Sequence, residues 1–281
     1  MLGSAIAGID ATVVGIALPR IGRQFHAGLG ELQWISNAYT LALAGLLLLG
    51  GALGDRLGRR RVFLVGTVWF AVASLLCGVA PTAPLLIGAR GLQGVGAALL
   101  VPASLAILEA SFTSEDRNQA IGAWSGLSGV ALAIGPFLGG WLIGSVSWRL
   151  IFFINLPVAA AVVTVSTRHV PESRDPDAAD TPLDLAGALL VSAGLVGLTY
   201  GLTAGAAHGW TSTGTVAAIA FGVACLSAFV MVEGQRVSPL IPPGIFRSRQ
   251  FSGANAVTFV VYAGLGGALF LLPVELQDAV G

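Results

Sequence analysis

The sequence predicts an all-α integral membrane protein with about nine transmembrane helices. Three observations carry this. Apolar residues make up 55% of the 281 residues and charged residues only 10%, against about 45–50% and 25% in soluble domains. The mean hydropathy is +0.85. The apolar residues also fall in continuous runs of the ~20 residues a bilayer-spanning helix needs, not in the period-two alternation of a membrane β-barrel. Glycine, at 39 residues, is unusually common, and membrane helices tolerate it better than soluble ones. Soluble globular, disordered and nucleic-acid-binding classes are excluded. The 14 basic and 14 acidic residues cancel, so nothing draws the chain toward polyanions at long range.

The expected spans are Leu2–Leu18, Trp34–Leu53, Val62–Val79, Leu85–Leu108, Ala120–Ile143, Leu150–Val165, Leu183–Ala204, Thr215–Val232 and Phe251–Leu272. Every basic residue is arginine, and the arginines orient the array. With the N-terminus inside, the cytoplasmic loops hold Arg56, Arg59, Arg60, Arg61, Arg117, Arg168, Arg174, Arg236, Arg247 and Arg249. The outer loops hold only Arg20, Arg23 and Arg149, while Arg90 lies within the fourth span. The positive-inside rule selects this topology, in a cell membrane. Residues 168–182, polar and proline-rich, read as a cytoplasmic linker after a six-helix block at 1–167. Residues 234–250 read as a second cytoplasmic loop, whose prolines stop helix propagation. An odd number of spans from an inside N-terminus leaves the C-terminus outside, so the chain is expected to be incomplete.

The chemistry-bearing residues are few. Asp10 is the only acid in the first span. A carboxyl group inside a membrane is expensive and is by default a proton or substrate site; the alternative is local capping or pairing near a helix end. Arg90 stands one turn into the fourth span and needs either a partner or a snorkelling path to the interface. Arg90, Gln93, Gly94 and Ala97 share one helix face, a polar patch followed by small residues. At the end of the second span, Gly51, Gly54 and Gly58 permit close backbone approach, and Asp55 stands beside a helix N-terminus whose dipole favours an anion. Arg56, Arg59, Arg60 and Arg61 follow, a cluster that positive-inside bias also explains. In the fifth span Gly122, Gly126, Gly129, Ala133, Pro136 and Gly140 form a stripe of small residues suited to helix packing. Cys77 and Cys225 lie in separate apolar runs, which supports neither a disulfide framework nor a metal cluster. Trp34, Trp148 and Trp210 serve equally well as interfacial anchors. No Gly-rich phosphate loop of the G-x-x-x-x-G-K type is present, so the chain lacks an ATP-driven engine.

These segments resemble the motifs of the major facilitator superfamily, in order and over essentially the whole chain. Gly51, Leu53, Asp55, Arg56, Gly58, Arg59 and Arg60 match its loop between helices 2 and 3, whose Asp and Arg help latch the cytoplasmic gate. The run Arg90-Gly-Leu-Gln93-Gly94 resembles its R-x-x-q-G signature, whose arginine is implicated in proton coupling. Gly135-Pro136-Phe-Leu-Gly139-Gly140, with Gly122 upstream, resembles the antiporter motif that marks exporters, although Ala131 stands where a further glycine is expected. Asp10-Ala-Thr12 through Ala17-Leu18-Pro19 resembles a motif of the fourteen-helix drug:proton antiporters, with Gly15 in place of the usual asparagine. Gln33-Trp34 with Tyr39, Trp148-Arg149 through Phe152, Asn155 and Pro157, and Pro239 with Phe246-Arg247 fit the same group.

The resemblance implies a major facilitator fold of which about nine of fourteen helices are present: a six-helix bundle at 1–167, two inserted helices at 183–233, and at 251–281 the start of a second bundle. It implies proton-coupled efflux of amphipathic small molecules, with Asp10 and Arg90 in coupling, no enzymatic activity and no cofactor. Its partners are the substrate, protons and the bilayer, with an absent C-terminal half needed for transport. Two other readings stay open: an exporter of one endogenous metabolite or self-made antibiotic, and a truncated membrane protein that does not transport. Five further spans at about 20 residues each, plus loops, predict an intact protein of roughly 450–500 residues. Sequencing the coding region tests this: a stop codon directly after Gly281, with a 28.5 kDa product in cells, overturns it.

Overall fold

A computed structural model describes residues 2–176, 183–236, 239 and 243–280. Parts of the two expected cytoplasmic connections, 177–182 and most of 237–242, therefore lie outside the described residues. The chain runs as helices α1 (Leu2–Phe25), α2 (Leu29–Leu57), α3 (Arg59–Val79), α4 (Ala83–Ser111), α5 (Ser114–Ser145), α6 (Leu150–Phe153), α7 (Asn155–His169), α8 (Leu185–His208) and α9 (Thr213–Glu233). A 3₁₀ turn (Pro243–Arg247) and α10 (Arg249–Val280) follow. Among the described residues, eight helices are long and apolar enough to cross a membrane, with α6 and α7 counting as one span. The all-helical membrane architecture expected from the sequence is what the structure has.

Local chemistry sets the boundaries. Gly58 ends α2 and begins α3 at a φ of 111°, a left-handed conformation that strains any residue with a Cβ. Pro84 opens the first turn of α4, where a missing N–H costs nothing. Asp184 caps α8 by accepting from Gly187 N at 2.8 Å, and Ser212 caps α9 by accepting from Thr215 N at 3.3 Å. The sixth span is interrupted at Ile154. Pro157 explains this, because it has no N–H to offer Phe153 four residues back and its ring crowds that carbonyl.

α4 is the centre of the bundle. α2 packs along one side of it and α3 along another, α1 packs on α5, α7 lies on α3, and α8 stands against α9 and α2. Glycines bring backbones into direct contact there. A Cβ on Gly94 would collide with the Tyr39 carbonyl and lie 2.8 Å from the Ala42 methyl of α2. One on Gly96 would lie 2.7 Å from Phe70 N of α3. Lateral faces stay apolar and exposed, as along α3 at Val65, Val68, Val72, Leu76 and Val79, which is the face a lipid tail meets. Two apolar clusters fill the interior. One gathers Val13, Val14, Ile35, Leu86, Ile143, Trp148 and Phe152; the other gathers Ile6, Ala7, Tyr39, Phe63, Phe70 and Leu100.

The end of the bundle where α1 and α3 finish is tied by polar contacts. Arg149 Nη1 donates to the carbonyls of Gly78 (3.1 Å) and Ala80 (2.9 Å) at the end of α3, and its guanidinium lies 4.4 Å from the Trp148 ring centroid. Trp148 Nε1 donates to Gln24 Oε1 on α1 at 2.6 Å.

Overpacking a close helix contact typically costs about 1–3 kcal/mol. Gly94→Val should therefore lower the thermal unfolding midpoint in lipid nanodiscs, whereas Gly91→Ala, whose Cβ meets no described atom within 4 Å, should leave it unchanged.

Candidate functional site

Between the two apolar clusters sits a sealed polar network. Asp10 lies on α1 between Ala7 and Val13, and only 2% of it is exposed. Arg90 on α4 is 1% exposed. The two are joined as a salt bridge through Arg90 Nη1 and Asp10 Oδ2. The sequence expectation that both matter thus has a geometric form: they are each other's counter-charge.

Uncharged groups from the surrounding helices complete the shell. Gln93 Nε2 donates to Asp10 Oδ1 at 2.9 Å, and Arg90 Nη1 donates to Gln93 Oε1 at 2.7 Å. Asn155 Nδ2, at the start of α7, donates to Asp10 Oδ1 at 3.0 Å and to Ser74 Oγ at 2.9 Å. The Ser74 hydroxyl on α3 donates to the Phe152 carbonyl at 2.9 Å. Arg90 Nε donates to the Ile35 carbonyl at 3.2 Å, and the guanidinium lies 4.3 Å from the centroid of Tyr39, within cation–π range. The Tyr39 hydroxyl donates to the Ala7 carbonyl at 3.1 Å, and the Cys77 thiol rests on Gln93 Oε1 at 3.5 Å. Taking two ions out of water costs several kcal/mol each unless geometry and hydrogen bonds compensate. Here both carboxylate oxygens are engaged, as are the guanidinium's Nη1 and Nε and the face toward Tyr39.

Ser74 and the part played by Asn155 escaped the sequence reading. The signal was available: short polar side chains inside apolar runs mark buried networks in membranes.

The loop between α2 and α3 forms a second cluster. Asp55, at the end of α2, pairs across the turn with Arg59: Arg59 Nε and Nη2 each lie 2.8 Å from Asp55 Oδ1. Its carboxylate thus serves a side chain, and the carboxylate that meets the first backbone N–H groups of α3 is that of Glu172, which sequence reasoning missed. Glu172 Oε1 accepts from Arg60 N at 3.0 Å, and Oε2 from Arg61 N at 3.2 Å. Arg60 Nη1 donates to the Val170 carbonyl at 2.8 Å. Gly51 and Gly54 face Pro102 and Ala103 of α4 at ordinary contact distance. Arg56 is half-buried in the last turn of α2.

In α5 the small residues divide. Gly135 would clash with Thr12 Oγ1 of α1 if it carried a Cβ, and Gly139 would lie 2.9 Å from Val13 Cγ1. Gly122, Gly126, Gly129 and Gly140 have no described atom within 4 Å of such a Cβ. The packing seam expected along the 122–140 stripe is therefore on the other side of the helix, where Ala131, Gly135 and Gly139 are buried. At 100° per residue the two sets stand about 140° apart on average, and periodicity alone does not say which face a neighbour covers. Pro136 lies in the α5 backbone; its side chain is outside the described residues.

The network, the arginine-rich turn and the seam on α1 define a multi-pass membrane protein built around a buried charge pair. The family model of the Major Facilitator Superfamily matches residues 1–278, and the chain belongs to that superfamily. Among its relatives, the tetracenomycin C resistance and export protein of Streptomyces glaucescens is 36% identical over 100% of this chain and 52% of its own length. The puromycin resistance protein pur8 of Streptomyces alboniger is 41% identical over 96% of this chain and 53% of its own. The multidrug efflux pump LfrA of Mycolicibacterium smegmatis is 35% identical over 97% and 54%. The chain thus spans about half the length of the curated relatives it matches. A crystal structure of the peptide transporter POT with sulfate shares the fold, with a TM-score of 0.55 at 16% identity over 84% of this chain and 51% of that one.

Removing one partner of a buried ion pair strands the other, at a cost of about 3–5 kcal/mol. Asp10→Ala should thus destabilise the protein far more than Asn155→Ala, which forfeits hydrogen bonds to the Asp10 carboxylate and to Ser74 worth about 1–3 kcal/mol together. Chemical denaturation in a fixed detergent measures both, and equal losses overturn the ranking.

Proposed function

We propose that the intact protein exports amphipathic, often cationic, small molecules by alternating access, driven by proton entry. The observation that carries this reading is the sealed Asp10–Arg90 pair, in a chain whose relatives bear the names of resistance and efflux proteins. The pair attracts only while Asp10 is ionised. A proton on Asp10 leaves Arg90 with the neutral acceptors Gln93 Oε1 and Ile35 O, and an arginine so placed in low dielectric is costly. The protein then favours whichever conformation gives that charge water or a new partner, and a ligand shifts the balance only by its different affinity for the two states. A cationic substrate competes with Arg90 for Asp10, so proton and substrate displace one another.

In this reading Asp55, Arg56, Gly58, Arg59 and Arg60 latch the cytoplasmic gate. Gly135 and Gly139 set the approach of α5 to α1 at Thr12 and Val13, two and three residues from Asp10, with Gly122, Pro136 and Gly140 belonging to the other stripe of the helix. Residues 1–167 form one bundle, 183–233 two inserted helices, and 251–281 the opening of a second bundle. One unit of pH gradient supplies about 1.4 kcal/mol per proton, and 100 mV adds about 2.3 kcal/mol per charge, enough for steep efflux without ATP. A narrower reading, export of one compound, is favoured by two relatives named for a single antibiotic each, tetracenomycin C and puromycin.

The test is substrate-induced proton release from the purified intact protein, with the fluorescent cation ethidium as probe. Wild type should release protons on binding, while Asp10→Asn should bind ethidium without release. Release equal to wild type places coupling elsewhere. Asp55→Asn should insert normally and export slowly; unchanged export reduces the loop to a topology signal.

A further inference from the structure

The first turn of α3 has no side chain of its own to cap it, because its N-cap is Gly58. An α-helix begins with four N–H groups lacking intrahelical partners. Here three of them are met by a segment more than a hundred residues away. Arg59 N donates to the Ser173 carbonyl at 2.8 Å, and the Arg60 and Arg61 N–H groups go to the two oxygens of Glu172 at 3.0 and 3.2 Å. Two more bonds run alongside: Asp175 N donates to the Asp55 carbonyl at 3.0 Å, and Arg60 Nη1 donates to the Val170 carbonyl at 2.8 Å. Glycine at 58 is required by its φ of 111°, and its missing Cβ leaves room for the Glu172 carboxylate, whose Oε1 would lie 2.7 Å from such a Cβ.

We infer that residues 170–175 are a strap across the α2–α3 loop, with Glu172 its clasp and a positioning residue of the gate. The inference rests on the reading of that loop as a gate. The strap holds the Asp55 carbonyl from one side of the turn and the Arg59 amide from the other, and so fixes the two residues whose side chains pair at 2.8 Å. It also leaves the end of α7 and leads toward α8, so a pull on the linker reaches the first turn of α3 without passing through the bundle. The carboxylate is suited to the place, since an anion at a helix N-terminus gains from the dipole as well as from two N–H groups.

Hydrogen–deuterium exchange on the intact protein in lipid nanodiscs, paired with ethidium efflux from vesicles, tests the strap. Glu172→Ala should speed exchange at residues 59–62 by roughly fivefold, the effect of losing an N-cap, without changing peptides around Arg90. Ser173→Ala, which removes a side chain the strap does not use, should match wild type. Glu172→Gln keeps an acceptor without the charge and should fall between; it also serves if Glu172→Ala does not fold. Export by Glu172→Ala should lose maximal rate at an unchanged KM. Exchange at 59–62 equal to wild type overturns the strap, and faster exchange with unchanged export overturns the positioning role. A wild-type protein that exports nothing sinks the export reading alone, and exchange still decides the strap.

Discussion

A charge pair shut inside the bundle is the constraint on which the remaining packing depends. Asp10 and Arg90 face no water, and each is tolerable there only because the other is present. Their shell draws on α1 for Asp10, α2 for Tyr39 and the Ile35 carbonyl, α3 for Ser74, α4 for Arg90 and Gln93, and the start of α7 for Asn155. Five helices are therefore held to one register by polar geometry, which apolar side chains sliding on one another do not provide. The glycines of α4 follow from the same demand: α2 and α3 must approach its backbone closely enough for side chains as short as Ser74 to reach the centre.

The two ends of the bundle are built differently. At the end holding Arg149 a guanidinium and an indole tie α1 and α3 to the residues just before α6. At the end holding the α2–α3 loop the bonds run mostly from backbone N–H groups to a distant chain segment, at groups exposed to solvent. Bonds of the first kind sit beside buried rings and lose little to water; those of the second exchange readily with it. The side carrying most of the arginines is thus the one whose polar contacts are easiest to remake.

The helical spans were legible because about 20 apolar residues in a row admit few other structures. Asp10 and Arg90 were legible for a related reason: an isolated charge in such a run demands an explanation, and each explains the other. What stayed hidden depends on three-dimensional neighbours. Ser74 and Asn155 are short polar residues among many, and nothing along the chain says that they point at Asp10. The stripe of small residues in α5 suggested packing, yet α1 covers the opposite face at Gly135 and Gly139. Glu172 stood in a polar, proline-rich segment that reads as a linker, and its partners Arg60 and Arg61 lie over a hundred positions earlier. The break at Ile154 could have been anticipated from Pro157, whose effect falls four residues back.

The contacts of Arg149 and Trp148 have a mechanical consequence. They hold the C-terminal ends of α1 and α3 against shearing past each other, and the backbone contacts along α4 do the same at mid-height. A body so braced transmits rotation as a rigid lever. α1, with 24 residues, is about 36 Å long at 1.5 Å per residue, so a tilt of about 10° about its Phe25 end would carry its first turn through about 6 Å. Any such tilt would displace the far end while the fulcrum hardly moved.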